Sequence, residues 1–237
     1  MKRVQKHRFK NHSSEFVASV TSLKPSFAAF DCDGTLWSGD AGEGFFSWEL
    51  NNGLIAPAMV DLARLRYTDY RAGKVSEDDM CAEMVTMHKG LSETFVQSAA
   101  NQYFDEILLP QIFPEMQRLV ASLREQGCEV WVVSSTNEWM IRGGMRHFGV
   151  PAERILAACV ELDNGIITDR LVRVPTGDGK PQALKGVSEQ PPDVAFGNSK
   201  WDIGMLEFAH HAFAVNPNPD LESVARQRGW RIYYPEF

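Results

Sequence analysis

Nothing in this 237-residue chain approaches the roughly 18 consecutive apolar residues of a membrane-spanning helix, so a membrane is not among its expected partners. Its four cysteines, Cys32, Cys81, Cys128 and Cys159, lie far apart and form no C-x-x-C pair. That spacing excludes a thiolate zinc site and a dense disulfide framework, and leaves reduced, mostly buried thiols of the kind expected in a cytoplasmic protein. Positive charge is in deficit: 24 Lys and Arg face 31 Asp and Glu, for a net charge of −7. Such a surface repels nucleic acid and anionic membranes, although a local cation in a cleft can still hold a phosphorylated substrate. The N-terminus is basic (Lys2, Arg3, Lys6, Arg8, Lys10), but no apolar run with a small-residue cleavage site follows. It reads as a solvated arm rather than a secretory signal. Internal repeats and low-complexity tracts are absent.

What is present is a set of short apolar runs, each cut off by polar residues. Ser26-Phe27-Ala28-Ala29-Phe30 ends in Asp-x-Asp-Gly, and Glu129-Val130-Trp131-Val132-Val133 ends in Ser134-Ser135-Thr136. Asp193-Val194-Ala195-Phe196 ends in Gly197-Asn198-Ser199, and Ala212-Phe213-Ala214-Val215 ends in Asn216-Pro217-Asn218. Runs of this length, bounded by turn residues, fit buried parallel strands. Helical patterning separates them at 114–126 (with Gly127 as C-cap), 138–148 and 201–209, and a weaker pattern at 13–23 stops at Pro25. Strands alternating with helices predict an α/β fold with a parallel sheet covered on both faces, and ligands bind beyond the carboxyl ends of such strands. Every run places its polar cluster at that end.

Two segments interrupt the alternation. Asp163-Asn164-Gly165 stands between β-favouring stretches, Ala158 to Leu162 and Ile166 to Val174, which predicts a β-hairpin. Residues 39–105 contain no strand-like run; helical stretches near 42–51, 57–71, 76–87 and 92–104, broken at Gly53, Gly73 and Gly90, predict an all-helical insert after the first strand.

Asp31 and Asp33 sit where the first strand ends and Gly34 lets the chain turn, so both carboxylates can surround one point. Two close carboxylates repel unless a cation or a shared proton relieves them. Mg²⁺ takes hard oxygen ligands and commonly uses one or two carboxylates with substrate phosphate, and a carboxylate can itself attack phosphorus. The bland alternative is an aspartate-rich loop that caps the next helix.

Phe30-Asp31-Cys32-Asp33-Gly34-Thr35-Leu36 resembles the first motif of the haloacid dehalogenase superfamily of phosphohydrolases. Val132-Val133-Ser134 resembles the second, Gly179-Lys180-Pro181-Gln182-Ala183-Leu184 the third, and Gly197-Asn198-Ser199-Lys200-Trp201-Asp202 the acidic fourth. The insert at 39–105 falls where the phosphoserine-phosphatase-like branch carries its helical cap. The resemblance implies a Rossmann-like core at 27–38 and 106–237, a cap at 39–105 and an N-terminal extension at 1–26. It implies a Mg²⁺-dependent phosphatase acting on a small phosphorylated metabolite. Asp31 would be the nucleophile and a metal ligand, and Asp33 the general acid and base, with its backbone carbonyl on the metal. Gly34, Thr35, Ser134 and Ser135 would meet the phosphate, and Lys180 would neutralise phosphate and Asp31. Lys185 competes with Lys180 for that role but lacks the preceding glycine and reads as surface.

Two departures qualify that picture. Asn198 stands where an aspartate is usual; its amide oxygen can ligate Mg²⁺, with Asp202 compensating for the lost charge. The alternatives are a weakened site that only binds phosphate compounds, or a phosphotransferase on the same fold. The helix Ser76-Glu77-Asp78-Asp79-Met80-Cys81-Ala82-Glu83-Met84 has no arginine to clamp a substrate carboxylate, which argues against phosphoserine. Asp40 and Glu43 are the acidic candidates for substrate binding in the cap. They accompany Trp37, Phe45, Phe46 and Trp48, which are either cap core or a wall for a cationic group. His147 reads as surface, His210 and His211 as structural, Cys32 as non-catalytic, and Trp201 as packing near the metal site.

Overall fold

The computed structural model describes residues 2–236, with side chains from residue 12 onward. In chain order the helices and strands are α1 (Lys2–Thr21), β1 (Phe27–Phe30), α2 (Ala41–Asn51), α3 (Pro57–Arg71), α4 (Glu77–Thr86) and α5 (Glu93–Tyr103). Then come α6 (Pro114–Glu125), β2 (Glu129–Asn137), α7 (Glu138–Met145), β3 (Ile155–Asp163), β4 (Ile166–Arg173) and α8 (Gly179–Lys185). The chain ends with β5 (Val194–Gly197), α9 (Ile203–Phe208), β6 (His211–Val215), α10 (Pro219–Arg228) and β7 (Arg231–Tyr233).

The seven strands form one sheet in the order β4-β3-β2-β1-β5-β6-β7, parallel throughout except for the β3–β4 hairpin. From β1 the chain fills one side of the sheet, then returns to fill the other from β5. β1 is therefore the switch point, where neighbouring connections leave in opposite directions and open a crevice at the strand's carboxyl end.

Alternate residues on each strand face opposite layers. Phe30, Val132, Phe196 and Phe213 join the larger core, while Ala29, Val133, Ala195 and Ala214 face α8, α9 and α10 through Leu184, Met205, Leu206 and Leu221. Phe30 stacks on Phe196 at 4.2 Å and Phe196 on Phe213 at 4.9 Å. Each such ring taken out of water contributes on the order of 2 kcal/mol, which holds the sheet centre rigid beneath its charged edge.

Helices α2 to α4 enclose a separate apolar cluster of Phe46, Leu50, Ile55, Ala63, Val75 and Met80, whereas α5 joins the main core through Val96, Ala99, Ala100 and Tyr103. The hairpin turns on Asn164 (φ 49°) and Gly165 (φ 79°), the two left-handed residues a type I′ turn requires. Its tip reaches the inserted helices: the Gly90 N–H donates to Ile167 O at 2.8 Å, and the Ile167 N–H to Leu91 O at 2.9 Å.

Several expectations are revised. α1 begins well before residue 13, where the apolar periodicity starts, and docks through buried Phe16, which stacks on Tyr233 at 3.8 Å. The basic side chains of Lys2, Arg3, Lys6, Arg8 and Lys10 lie outside the described residues. β2 continues to Asn137, so Ser134 and Ser135 are strand residues and not the loop after it. His147 is not simply surface: it stacks on Phe104 at 5.5 Å and pairs with Asp105 at 2.8 Å. The four cysteines are all free. Among the described residues no helix is long and apolar enough to cross a membrane.

Candidate active site

At the carboxyl end of β1, Asp31 is 6% exposed and both its oxygens are engaged. Oδ1 accepts from Lys180 Nζ at 2.7 Å, and Oδ2 accepts from the Thr35 hydroxyl at 2.8 Å. Lys180 enters from the first turn of α8 and is 2% exposed. Its Nζ also donates to Asp202 Oδ1 at 2.5 Å, so one ammonium bridges two buried carboxylates. Burial opposes the charge on Lys180, but Asp202 and Asp31 more than offset it and raise its pKa. Burial, then the charge of Asp202, pushes the Asp31 carboxyl up to about 6.

Asp33 points its carboxylate at three donors. Oδ1 accepts from the Trp37 indole N–H at 2.7 Å and the Ala41 N–H at 2.6 Å, and Oδ2 accepts from the Thr136 hydroxyl at 2.7 Å. Burial, then the charge of Asp40, pushes its carboxyl up to about 7. A pKa in that range lets one group give and take a proton near neutrality.

Asp31, Asp33, Ser134, Ser135, Lys180, Asn198 and Asp40 all line one cavity of about 250 Å³, together with Thr136, Tyr70, Glu77, Ser199, Trp201 and Asn218. A second cavity of about 90 Å³ shares the wall formed by Asp40, Tyr70, Glu77, Ser135 and Thr136 and extends between Glu43, Tyr67 and Arg71. The acids here are held in place: Asp40 caps α2 by accepting from the Glu43 N–H at 2.8 Å, and the Tyr70 hydroxyl donates to Glu77.

Three of the expected site residues stand behind the cavity instead of on it. The Thr35 hydroxyl donates to Asp31 and its N–H to Cys32 O at 3.1 Å, so in this structure Thr35 supports the carboxylate from behind the cavity. Gly34 backs onto the fourth loop: at φ +72° a Cβ there would lie 1.8 Å from Asn198 Nδ2, so only glycine lets the two loops meet. Asp202 is fully buried; one oxygen holds Lys180 and the other accepts from the Asn198 N–H at 2.9 Å and the Ser199 N–H at 2.9 Å. Asp202 therefore organises the loop and Lys180 from behind the cavity lining.

The aromatic wall is also revised. Phe45 and Phe46 are buried in packing and Trp37 is fully buried; the aromatic rings on the cavities are Trp201 of the fourth loop with Tyr67 and Tyr70 of α3, two tyrosines that no sequence pattern marked. Arg71, at the end of α3, supplies the guanidinium that the following helix lacks. Cys32 is fully buried, and burial raises its thiol well above the usual range, which agrees with a non-catalytic role.

Among the described residues no three His, Cys, Asp or Glu side chains are grouped as a metal site. Mg²⁺ does not need such a group, since it keeps several waters and takes one or two carboxylates. The donor set suits a hard cation: the Asp31 carboxylate and the Asn198 amide oxygen border one cavity in which carboxylates outnumber the single ammonium of Lys180.

Comparison with known proteins agrees with this architecture. Over 218 residues the chain is 26% identical to a histidinol-phosphatase of Neisseria meningitidis serogroup C, covering 87% of this chain and 97% of that one. Over 220 residues it is 27% identical to the phosphoserine phosphatase SerB1 of Mycobacterium tuberculosis, covering 86% and 69% respectively. A crystal structure of a protein of unknown function from Bordetella pertussis Tohama I superposes with a TM-score of 0.77 at 21% identity, covering 87% of this chain and 97% of that one. The family model for haloacid dehalogenase-like hydrolases matches residues 28–207, and the chain belongs to that family of hydrolytic enzymes.

Proposed function

We propose that this protein is a Mg²⁺-dependent phosphomonoester hydrolase working through an aspartyl-phosphate on Asp31. The observation that carries the reading is the buried Asp31–Lys180–Asp202 chain of charges facing the same cavity as the donor-held Asp33. Asp31 would attack phosphorus while Lys180 offsets charge on the nucleophile and the phosphoryl oxygens, the electrostatic help that phosphoryl transfer needs most. Ser134 and Ser135 border the same cavity and would hold the phosphoryl group. Asp33 would protonate the leaving oxygen and then take a proton from water. The metal would be held by Asp31, the Asp33 carbonyl and the Asn198 amide, and bound Mg²⁺ supplies charge neutralisation to phosphoryl oxygens.

The substrate class follows from the smaller cavity. Asp40, Glu43 and Glu77 outnumber Arg71 there, so it suits a cationic group about one short chain away from the phosphate. Both named relatives are called phosphatases of amine-bearing compounds, histidinol and serine derivatives. We therefore assign this chain an amine-bearing phosphomonoester without a carboxylate. Arg71 weakens the sequence argument against phosphoserine, and the excess of acids now carries that exclusion.

Phosphate release from a panel of amino-alcohol phosphates, phosphoserine and glycerol phosphate, with Mg²⁺ and with EDTA, tests the reading. Turnover is expected only with Mg²⁺, and kcat/KM for amino-alcohol phosphates should exceed the others by about tenfold, the worth of one partly desolvated charge contact. A folded protein that releases phosphate from none of them refutes the assignment. Asn198→Asp should tighten Mg²⁺ binding by about tenfold in calorimetry, because it adds a charge where a neutral amide stood. Unchanged affinity would remove Asn198 from the ligand set.

A further inference from the structure

Trp37 belongs neither to a substrate wall nor to an ordinary packing position. It is fully buried, and its indole N–H ends on Asp33 Oδ1 at 2.7 Å. The Ala41 N–H reaches the same oxygen at 2.6 Å. An oxygen already accepting two N–H donors is a poor site for a proton, so a protonated Asp33 carries its hydrogen on Oδ2. Oδ2 is the oxygen beside Thr136, at 2.7 Å from its hydroxyl, and Thr136 lines the cavity that holds Asp31.

We infer that Trp37 is a positioning residue for proton transfer: its N–H fixes Oδ1 as the bare oxygen and so presents the acidic proton on Oδ2, on the cavity side.

The surroundings of the indole explain why it can hold one orientation. Its ring meets Phe104 edge-on at 5.1 Å. Gly144 of α7 leaves the room it needs: a Cβ there would fall 3.0 Å from the Trp37 ring and 2.6 Å from Phe104. Its backbone bridges to Asp33 on one side and Ile112 on the other. The flanking residues close the same seam, with the Phe113 N–H donating to Leu36 O at 3.0 Å and the Ser38 N–H to Gln111 O at 2.9 Å. The indole is thus fixed where the two chain crossings between the sheet and the inserted helices meet.

The inference rests on the phosphatase reading. In its first step an Asp31 oxygen forms a bond to phosphorus as the bond from phosphorus to the alcohol oxygen breaks. That oxygen keeps the bonding pair and takes the Asp33 Oδ2 proton, leaving a neutral alcohol and an Asp33 carboxylate. In the second step the carboxylate takes a proton from water as the water oxygen attacks phosphorus, which frees Asp31 and returns Asp33 to its acid form. Only kcat/KM isolates the first step, because it covers events up to release of the alcohol.

The test compares Trp37→Phe with the unaltered enzyme on an amino-alcohol phosphate, which is an alkyl ester, and on p-nitrophenyl phosphate. An alkoxide must be protonated to leave, whereas p-nitrophenolate leaves as the anion. Loss of one hydrogen bond to the acid should lower kcat/KM for the alkyl ester about tenfold more than for the aryl ester. Equal losses on the two esters, or no loss on the alkyl ester, overturn the inference. If the unaltered enzyme turns over neither ester, the phosphatase reading itself has failed, which is a different result. Should the phenylalanine variant not fold, β-(3-benzothienyl)alanine at position 37 replaces the N–H by sulfur at nearly constant shape and carries the same comparison.

Discussion

Asp31→Asn is expected to stay folded, to lose phosphate release by about 10⁴-fold or more, and to melt at a higher temperature than the parent in metal-free buffer above neutral pH. The first effect follows from replacing the attacking carboxylate by an amide. The second follows from linkage. The folded-state pKa of Asp31, about 6, lies above the ordinary value of 3.8, so the folded protein binds this proton more tightly than the unfolded chain does. The ionised group therefore weakens the fold progressively as pH rises from about 4 to about 6, and the full penalty persists above that. A shift of this size corresponds to about 2–3 kcal/mol at a site only 6% exposed. Melting curves at pH 4 and pH 8 in EDTA, with phosphate release measured alongside, check both halves. A variant with parental turnover would remove Asp31 from the chemistry, and a melting difference that does not grow with pH would remove the linkage argument.

Lys180→Met should instead destabilise the fold. The ammonium is the bridge between Asp31 and Asp202, and without it two carboxylates stay buried without a counter-charge. Removing one partner of a buried pair costs about 3–5 kcal/mol. Here the loss grows with pH, because the folded state then holds protons on carboxylates that the unfolded chain has already released above about pH 4. Turnover should fall by about 10³-fold or more, since Lys180 is the protein's own cation on the reacting group. The double variant Lys180→Met with Asp202→Asn separates the two effects. It should regain most of the stability, because the amide oxygen can still accept from the Asn198 and Ser199 N–H groups, and regain none of the activity. Urea unfolding of the parent, the single and the double variant at pH 5 and pH 8 gives the comparison. A single variant as stable as the parent at pH 8 would show that the bridge contributes nothing to the fold.

The chain's own pattern determined the α/β class, four of the seven strands and the hairpin. Those are local matters. A short apolar run can satisfy its burial only inside a sheet, and Asn164-Gly165 adopts the two positive φ angles that close a two-residue turn. The same locality marked Asp31, Asp33, Ser134 and Asn198, each standing at or just past the end of an apolar run, whereas Lys180 was marked only by resemblance to the family's third motif. β7 escaped notice because Arg231–Tyr233 is only three residues, and its strand character comes from pairing with β6.

Tertiary structure alone decided which polar group faces which. Asp31 is far in sequence from Lys180 and Asp202, and only the strand order that puts β5 beside β1 brings that pair to it, with Lys180 Nζ 2.7 Å from Asp31 Oδ1 and 2.5 Å from Asp202 Oδ1. The same packing makes Asp202 the partner of Lys180 and the neighbouring hydroxyl of Thr35 a support for Asp31. Tyr67, Tyr70 and Arg71 lie on an exposed-looking helix with no motif, and reach the site because α2 to α4 fold over the strand ends. Trp37 is the sharpest case. Hydrophobicity says only that an indole will be buried; the direction of its single N–H depends on where the chain crossings pack, and that direction places it on Asp33.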